Sequence, residues 1–179
     1  MEGATMGSRG DYEDLKKPVV LVVDDSLEFL ELARAVLAPQ YEVHLAIDGD
    51  EGMYKAQLLK PDAVILDMMM PRISGEQVLE HMQGLAELHG MPVLILTARH
   101  YRPSERHMLE SKSNVCRYLE KTIPMPELLA ELEKTIALGR LYRDTPDLVD
   151  WVRHAQVAAT PAILHSAGNA LVRQKSREH

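Results

Sequence analysis

The stretch that decides the fold is VVLVVDDS, residues 19–26, in which five apolar residues precede two aspartates and a serine. A continuous, mostly β-branched run of this length is typical of a strand that is buried on both faces. Beyond Ser26, apolar residues recur near helical spacing until Pro39, at Leu27, Leu30, Ala33 and Leu37. The pattern therefore predicts a strand, a polar turn and a helix, in that order.

The same alternation of apolar runs and helical patterns continues along the chain. It predicts further strands at Tyr41–Ile47, Ala63–Leu66, Val93–Leu96 and Val115–Leu119. It predicts helices at Asp50–Leu59, Gly75–Leu88, Pro103–Ser111 and Pro126–Leu138. Because the apolar runs do not alternate with polar residues, we expect helices on both faces of the sheet. The predicted fold is α/β, a doubly wound five-stranded parallel sheet between two layers of helices.

Composition and charge narrow the class of protein. The 179 residues are 46% hydrophobic, and no apolar run approaches the roughly 18 residues that a membrane span needs. The first 138 residues carry 14 Lys and Arg against 23 Asp and Glu, which argues against nonspecific nucleic-acid binding by this acidic body. Cys116 is the only cysteine, which excludes an intramolecular disulfide and a cysteine-rich metal site. We expect a cytoplasmic protein that binds neither membrane nor nucleic acid directly.

The two ends of the chain differ from the body. Residues 1–17 are polar and carry no apolar signal sequence, and we expect them to be disordered. Residues 139–179 are predicted to form a helical extension, in which Gly139 caps the last helix of the body and Pro146 begins another. Apolar residues at helical spacing suggest two helices there, with Leu148, Trp151, Val152, Ala155 and Ala159 in one and Ile163, Leu164, Ala167, Ala170 and Leu171 in the other.

Polar residues end three of the predicted strands. Asp24 and Asp25 end the first strand, Asp67 the third and Thr97 the fourth, and Lys121 follows the fifth. Ligands of doubly wound sheets bind beyond the carboxyl ends of the strands, so we expect these side chains to meet. Three converging carboxylates repel one another unless a cation lies among them, and ligands that offer only oxygen favour Mg²⁺. A hydroxyl and an ammonium beside such a metal indicate a site for a phosphoryl group.

Four stretches of the chain resemble one family. These are VVLVVDDS, VILDMMMPRISGEQVL, PVLILTAR and RYLEKT, within residues 18–138. They resemble the receiver domains of bacterial two-component response regulators, in the order and at the spacing of that family. The resemblance implies a flavodoxin-like receiver fold over residues 18–138 and a phosphorylation-controlled signalling module.

The resemblance also implies roles for individual residues. Asp67 is then the nucleophile that accepts the phosphoryl group. Asp25 binds Mg²⁺ directly, Asp24 binds it through water, and the backbone carbonyl of Met69 is a further metal ligand. Lys121 is then the lysine that binds the phosphoryl group, so that Asp67, Lys121 and Thr97 carry the chemistry.

Signalling by such a module depends on a switch and on the lifetime of the phosphorylated state. By resemblance, Thr97 and Tyr118 form the switch, with Thr97 moving toward the phosphoryl group while Tyr118 turns inward. Met69 and Arg99 flank the path of a hydrolysing water, and neither side chain helps to position that water. We therefore expect self-catalysed phosphorylation and slow dephosphorylation rather than turnover. The implied partners are a histidine kinase or phosphotransfer protein, and a downstream protein or second copy of the chain.

The residue after Lys121 departs from the family pattern. Receiver domains usually have proline there, joined by a cis peptide bond, whereas this chain has Thr122. A cis bond before a residue other than proline costs about 2.5–4 kcal/mol. The sequence therefore allows two arrangements, a strained cis bond or a trans loop that places the ammonium slightly differently.

Two other functions compete with a phosphorylated receiver. Magnesium-dependent phosphatases of the haloacid-dehalogenase type also use a strand-end aspartate, but they need a second aspartate two residues later as general acid. Met69 stands at that position and has no proton to give. The other alternative is a pseudo-receiver, a protein-binding module that works without phosphorylation, against which the full acidic set and Lys121 argue.

Overall fold

The computed structural model describes residues 16–88, 90–112 and 114–144. The chain divides into two compact units, residues 1–140 and 141–179. All strands of the described residues lie in the first unit. The predicted N-terminal segment 1–17 lies outside the described residues except for Lys16 and Lys17, as do the helices predicted around Trp151 and Leu164.

Five strands alternate with five helices along the described residues, as the sequence predicts for this part of the chain. The strands are β1 (Val19–Val23), β2 (Glu42–Ala46), β3 (Ala63–Leu66), β4 (Val93–Thr97) and β5 (Val115–Glu120). The helices are α1 (Leu27–Leu37), α2 (Gly49–Leu59), α3 (Gly75–Gly84), α4 (Pro103–Glu110) and α5 (Met125–Asp144). All strand pairs are parallel, and the order across the sheet is β2-β1-β3-β4-β5. The predicted fold class is confirmed.

Two apolar layers cover the sheet, because successive residues of each strand point to opposite faces. Leu21 and Val23 of β1 pack toward α2, α3 and α4, on a face that includes four buried methionines: Met68, Met70, Met82 and Met91. Val20 and Val22 pack toward α1 and α5, on a face whose buried residues contain no methionine. The strand ends therefore project from a sheet that is held from both sides.

Two predicted helix ends are wrong. Helix α3 stops at Gly84 rather than Leu88, because Leu85 takes an extended backbone conformation, although Leu88 is still buried in the following turn. Helix α5 continues through Gly139, which the sequence suggests as a cap. A side chain at position 139 would collide with the ring of Pro92, so this glycine permits close packing rather than ending the helix.

Among the described residues, no helix is long and apolar enough to cross a membrane.

Candidate phosphoryl-acceptor site

The ends of β1 and β3 bring three carboxylates together. Asp24 and Asp67 are almost fully buried, whereas Asp25 is exposed. Each of the three offers an oxygen that lies within 4.8 Å of the others. Strands β1 and β3 are hydrogen-bonded neighbours, with Val23 paired to Leu66, so their next residues reach the same edge together. The predicted cluster of Asp24, Asp25 and Asp67 therefore exists in the fold.

Local hydrogen bonds fix the acidic loop after β1. The Ser26 hydroxyl accepts a bond from the Phe29 amide at 3.3 Å and so caps helix α1. Asp24 Oδ1 accepts a bond from the Ser26 amide at 3.0 Å. The Ser26 residue that caps helix α1 therefore also holds the Asp24 carboxylate in place.

Lys121 reaches the buried carboxylates from the loop after β5. Its Nζ lies 2.7 Å from Asp24 Oδ2 and 3.1 Å from Asp67 Oδ2. Burial opposes the charged form of the Lys121 ammonium, but the two carboxylates outweigh it and raise the pKa of Lys121. Burial also raises the pKa of Asp24, a shift that the bond from Lys121 partly offsets. The ammonium therefore neutralises much of the negative charge that the two buried aspartates place together.

One oxygen of Asp67 has no hydrogen-bond partner. Lys121 binds Oδ2, whereas Oδ1 is buried and unpaired within the part of the chain that the structure describes. A buried, unpaired carboxylate oxygen costs free energy unless a ligand completes it. The donor set around it consists of oxygen atoms, which suits a hard cation such as Mg²⁺. The residues present therefore fit the metal that the sequence predicts.

Thr97 and Tyr118 both bind the backbone of Arg99. The fully buried Thr97 hydroxyl accepts a bond from the Arg99 amide at 3.3 Å, which leaves its own proton free for another acceptor. The Tyr118 hydroxyl donates to the Arg99 carbonyl at 2.5 Å. Tyr118 already lies inside the protein at 2% exposure, although the resemblance predicts that it turns inward on phosphorylation. The two predicted switch residues thus meet at one loop residue.

A pocket of about 550 Å³ opens beside the acidic cluster. Asp25, Met69 and Arg99 line it, together with residues of the loop after β3 and the start of α3. The Met69 side chain is about half exposed. Both residues predicted to influence hydrolysis therefore lie at the mouth of the site, whereas the proposed metal-binding role of the Met69 carbonyl stays a prediction.

The structure selects one of the two arrangements at Thr122. Every peptide bond of the described residues is trans, including the one that joins Lys121 to Thr122. Lys121 nevertheless lies within bonding distance of both buried aspartates. The departure from the family pattern therefore does not remove the ammonium from the site.

Three contributors to the site escaped sequence reasoning. The Phe29 ring lies 4.9 Å from the Lys121 ammonium, and the Tyr101 hydroxyl donates to Glu76 Oε1 at 3.2 Å. Phe29 is the only phenylalanine in the chain and lies one helical turn after the acidic loop, which could have drawn attention to it. Tyr101 and Glu76 are 25 residues apart, and no local pattern joins them.

A family model described as the response regulator receiver domain matches residues 20–133. The chain is 36% identical over 129 residues to the response regulator MprA of Mycolicibacterium vanbaalenii, which covers 72% of this chain and 52% of that protein. It is 34% identical over 124 residues to hybrid signal transduction histidine kinase D of Dictyostelium discoideum, over 69% of this chain and 8% of the kinase. The chain thus spans about half the length of the response regulator MprA and a small fraction of the length of the hybrid kinase.

Solved structures agree with the sequence comparison. The chemotaxis protein CheY4 of Vibrio cholerae superposes with a TM-score of 0.61 at 28% identity, over 66% of this chain and 98% of that structure. The N-terminal domain of a response regulator receiver protein from Methanoculleus marisnigri superposes with a TM-score of 0.54 at 30% identity, over 65% of this chain and 94% of that structure.

Proposed function

Because this chain belongs to the response regulator receiver domain family, which acts in phosphorylation-controlled signalling, we propose that Asp67 is the residue that accepts the phosphoryl group. The donor in this proposal is a histidine kinase or a phosphotransfer protein that carries phosphohistidine. An Asp67 carboxylate oxygen forms a bond to phosphorus while the phosphorus–nitrogen bond breaks. The bonding electron pair leaves with the imidazole, which takes up a proton from water.

The unpaired Oδ1 of Asp67 is the observation that supports this proposal most directly. It is buried at the carboxyl edge of the sheet, and the next residue in the chain, Met68, lines the neighbouring pocket. The other oxygen, Oδ2, accepts a bond from Lys121 at 3.1 Å, so the carboxylate is oriented with Oδ1 unpaired, and Oδ2 keeps a second lone pair that can bind the metal. A fixed carboxylate with one unpaired oxygen needs little reorganisation to attack phosphorus.

Asp24, Asp25 and Asp67 would hold Mg²⁺, with the Met69 backbone carbonyl as a further ligand. When bound, the ion neutralises charge on the oxygens of the transferred phosphoryl group. Asp25 is exposed and free of the Lys121 ammonium, whereas Asp24 is bound by it at 2.7 Å. This difference supports direct binding by Asp25 and binding through water by Asp24.

Lys121 and Thr97 would receive the oxygens of the phosphoryl group. Lys121 offers three donors, and its charge lies between the two buried aspartates. Thr97 keeps its hydroxyl proton free because it accepts, rather than donates, its bond with Arg99. Phosphorylation then changes the Thr97, Arg99 and Tyr118 hydrogen bonds, and so the surface that a downstream protein or second copy binds.

The test of this proposal is the site of modification. The full chain is incubated with acetyl phosphate and Mg²⁺, reduced with borohydride to convert phosphoaspartate into homoserine, and mapped by mass spectrometry. We expect modification at position 67 alone and at least a hundredfold loss of it in Asp67→Asn. The matched control is Asp50→Asn, an exposed carboxylate in the first turn of α2. Full modification of Asp67→Asn would refute the proposal, and so would a pseudo-receiver result, in which the parent takes up none.

A further inference from the structure

Four side chains form a connected set between α3 and β5. The Tyr101 ring packs edge-on against the Tyr118 ring, with their centres 5.6 Å apart. The Arg99 guanidinium lies over the Tyr101 ring, 4.4 Å from its centre. The Tyr101 hydroxyl donates to Glu76 at the start of α3. Tyr101 therefore contacts α3, β5 and the Arg99 side chain at once.

Hydrogen bonds hold the backbone of Arg99, and the Tyr101 ring contacts its side chain. Thr97 and Tyr118 bind its amide and its carbonyl, which fixes the backbone. The long side chain is exposed and forms no ion pair among the described residues, and its guanidinium contacts the Tyr101 ring. A guanidinium over an aromatic face is attracted by the ring and loses fewer conformations when a ligand arrives.

The charge of Arg99 bears on what enters the pocket. The other charged residues that line the described pocket are Asp25 and Glu76, both negative. With Asp25 engaged as a proposed Mg²⁺ ligand, a dianionic phosphate compound that approaches Asp67 meets repulsion from Glu76 and attraction from Arg99. Positive charge fixed at the mouth of a cleft raises the local concentration of anions, and freely moving charge does so less well.

We propose that Tyr101 is a positioning residue, whose ring holds the Arg99 guanidinium at the mouth of the pocket so that Arg99 draws small phosphoanion donors toward Asp67. This inference rests on the proposed function of Asp67, and in it Tyr101 acts on the donor only through Arg99. The hydroxyl bond to Glu76 fixes the plane of the ring. Burial and the neighbouring Glu76 charge raise the pKa of Tyr101 to about 12, so the hydroxyl keeps its proton as donor at neutral pH.

The test measures initial phosphorylation rates against acetyl phosphate concentration at fixed Mg²⁺, for the full chain and four variants. Tyr101→Leu removes the ring, and we expect the half-saturating concentration to rise about threefold while the maximal rate stays near that of the parent. Tyr101→Phe keeps the ring but loses the bond to Glu76 that fixes its plane, so its half-saturating concentration should fall between those of the parent and Tyr101→Leu. Arg99→Ala should resemble Tyr101→Leu, and the double variant should be no worse than Arg99→Ala alone. The difference between parent and Tyr101→Leu should shrink at high ionic strength.

Three results would overturn the inference. One is an unchanged half-saturating concentration in Tyr101→Leu. Another is a Phe variant as impaired as the Leu variant, and a third is a double variant whose defect is the product of the two single defects, which would mean that Tyr101 acts independently of Arg99. A parent that is not phosphorylated at all would instead refute the function of Asp67, and this inference with it.

Discussion

The two halves of the site are built from different chemistry. At the ends of β1 and β3 the side chains are carboxylates, and Lys121 balances the two buried ones through contacts of 2.7 and 3.1 Å. At the ends of β4 and β5 the side chains are a hydroxyl and two tyrosines that bind the backbone and side chain of Arg99. The first half can hold charge, whereas the second can exchange one neutral hydrogen bond for another.

This difference indicates which part of the site stays rigid and which part can change its hydrogen bonds. Ionic contacts in a buried setting are costly to rearrange, because every charge must find another partner. Neutral hydrogen bonds contribute about 1 kcal/mol each and can be exchanged at small net cost. The acidic half should therefore keep its geometry while the hydroxyl half responds, and the following changes test that division.

The largest effect is expected from Gly75→Ala, in the acidic half. A methyl group there would fall against the Asp67 carbonyl oxygen and the Met68 backbone, neither of which can move aside cheaply. We expect the free energy of unfolding to drop by about 2 kcal/mol, measured by urea denaturation. Gly84→Ala, at the other end of the same helix and with open space around it, should be neutral or stabilising. Equal effects of the two substitutions would contradict the close packing under Asp67.

The next largest effect separates the two neighbouring aspartates. We expect Asp25→Asn to weaken Mg²⁺ binding on the order of tenfold and Asp24→Asn by about threefold, since a direct carboxylate ligand contributes more than one acting through water. Mg²⁺-dependent changes in the NMR signals of the acidic loop report the affinity. Asp50→Asn serves as the control for loss of one negative charge. A larger loss in Asp24→Asn would reverse the two assignments.

A smaller effect should follow from Tyr118→Phe, in the hydroxyl half. This change removes the bond to the Arg99 carbonyl and leaves the buried ring, so stability should fall by about 1 kcal/mol. Mg²⁺ affinity should not change, because Tyr118 contacts no carboxylate of the cluster. Tyr54→Phe, at an exposed position of α2, is the matched control. If Mg²⁺ affinity fell together with stability, the two halves would not be separable as described.

The smallest effect concerns the lifetime of phosphoaspartate. The Met69 side chain offers only a weakly accepting thioether and the Arg99 guanidinium only donates hydrogen bonds, so neither positions an attacking water well and hydrolysis in the parent should be slow. Met69→Asn and Arg99→Glu should each accelerate it about threefold, because an amide or carboxylate oxygen can orient that water. Release of phosphate from purified phosphoprotein, after removal of the donor, gives the rate. Met108→Asn is the control, on an exposed face of α4. A parent that hydrolyses within seconds, with both variants unchanged, would contradict this interpretation.

The fold was predictable because it depends on signals that are local in sequence. Each buried strand is a short apolar run; Asp24 and Asp67 follow their strands directly and Thr97 is the last residue of its strand, so the topology alone brings them to one edge. One of the two wrong helix ends arose where a tertiary contact decided the outcome. Gly139 resembles a helix end in the sequence, but packing against Pro92 explains it.

The details of the site were less predictable, because they depend on residues that are distant in the chain. The contact of Tyr101 with Glu76 and that of Lys121 with Phe29 join separate elements through side-chain directions. The inward position of Tyr118 likewise follows from packing between α4 and β5. Sequence spacing identifies which residues share an edge, but it does not determine which atom binds which.

The two contacts of Lys121 have a consequence for how the protein folds. A cluster of three carboxylates would normally oppose its own assembly, since the repulsion must be overcome before any cation binds. Here the Lys121 ammonium, from the loop after β5, is an internal counterion that balances the charge of the two buried aspartates once β5 is part of the sheet. The two buried aspartates are therefore already balanced by the chain itself, and the fold of this region does not depend on a cation from solution to offset them.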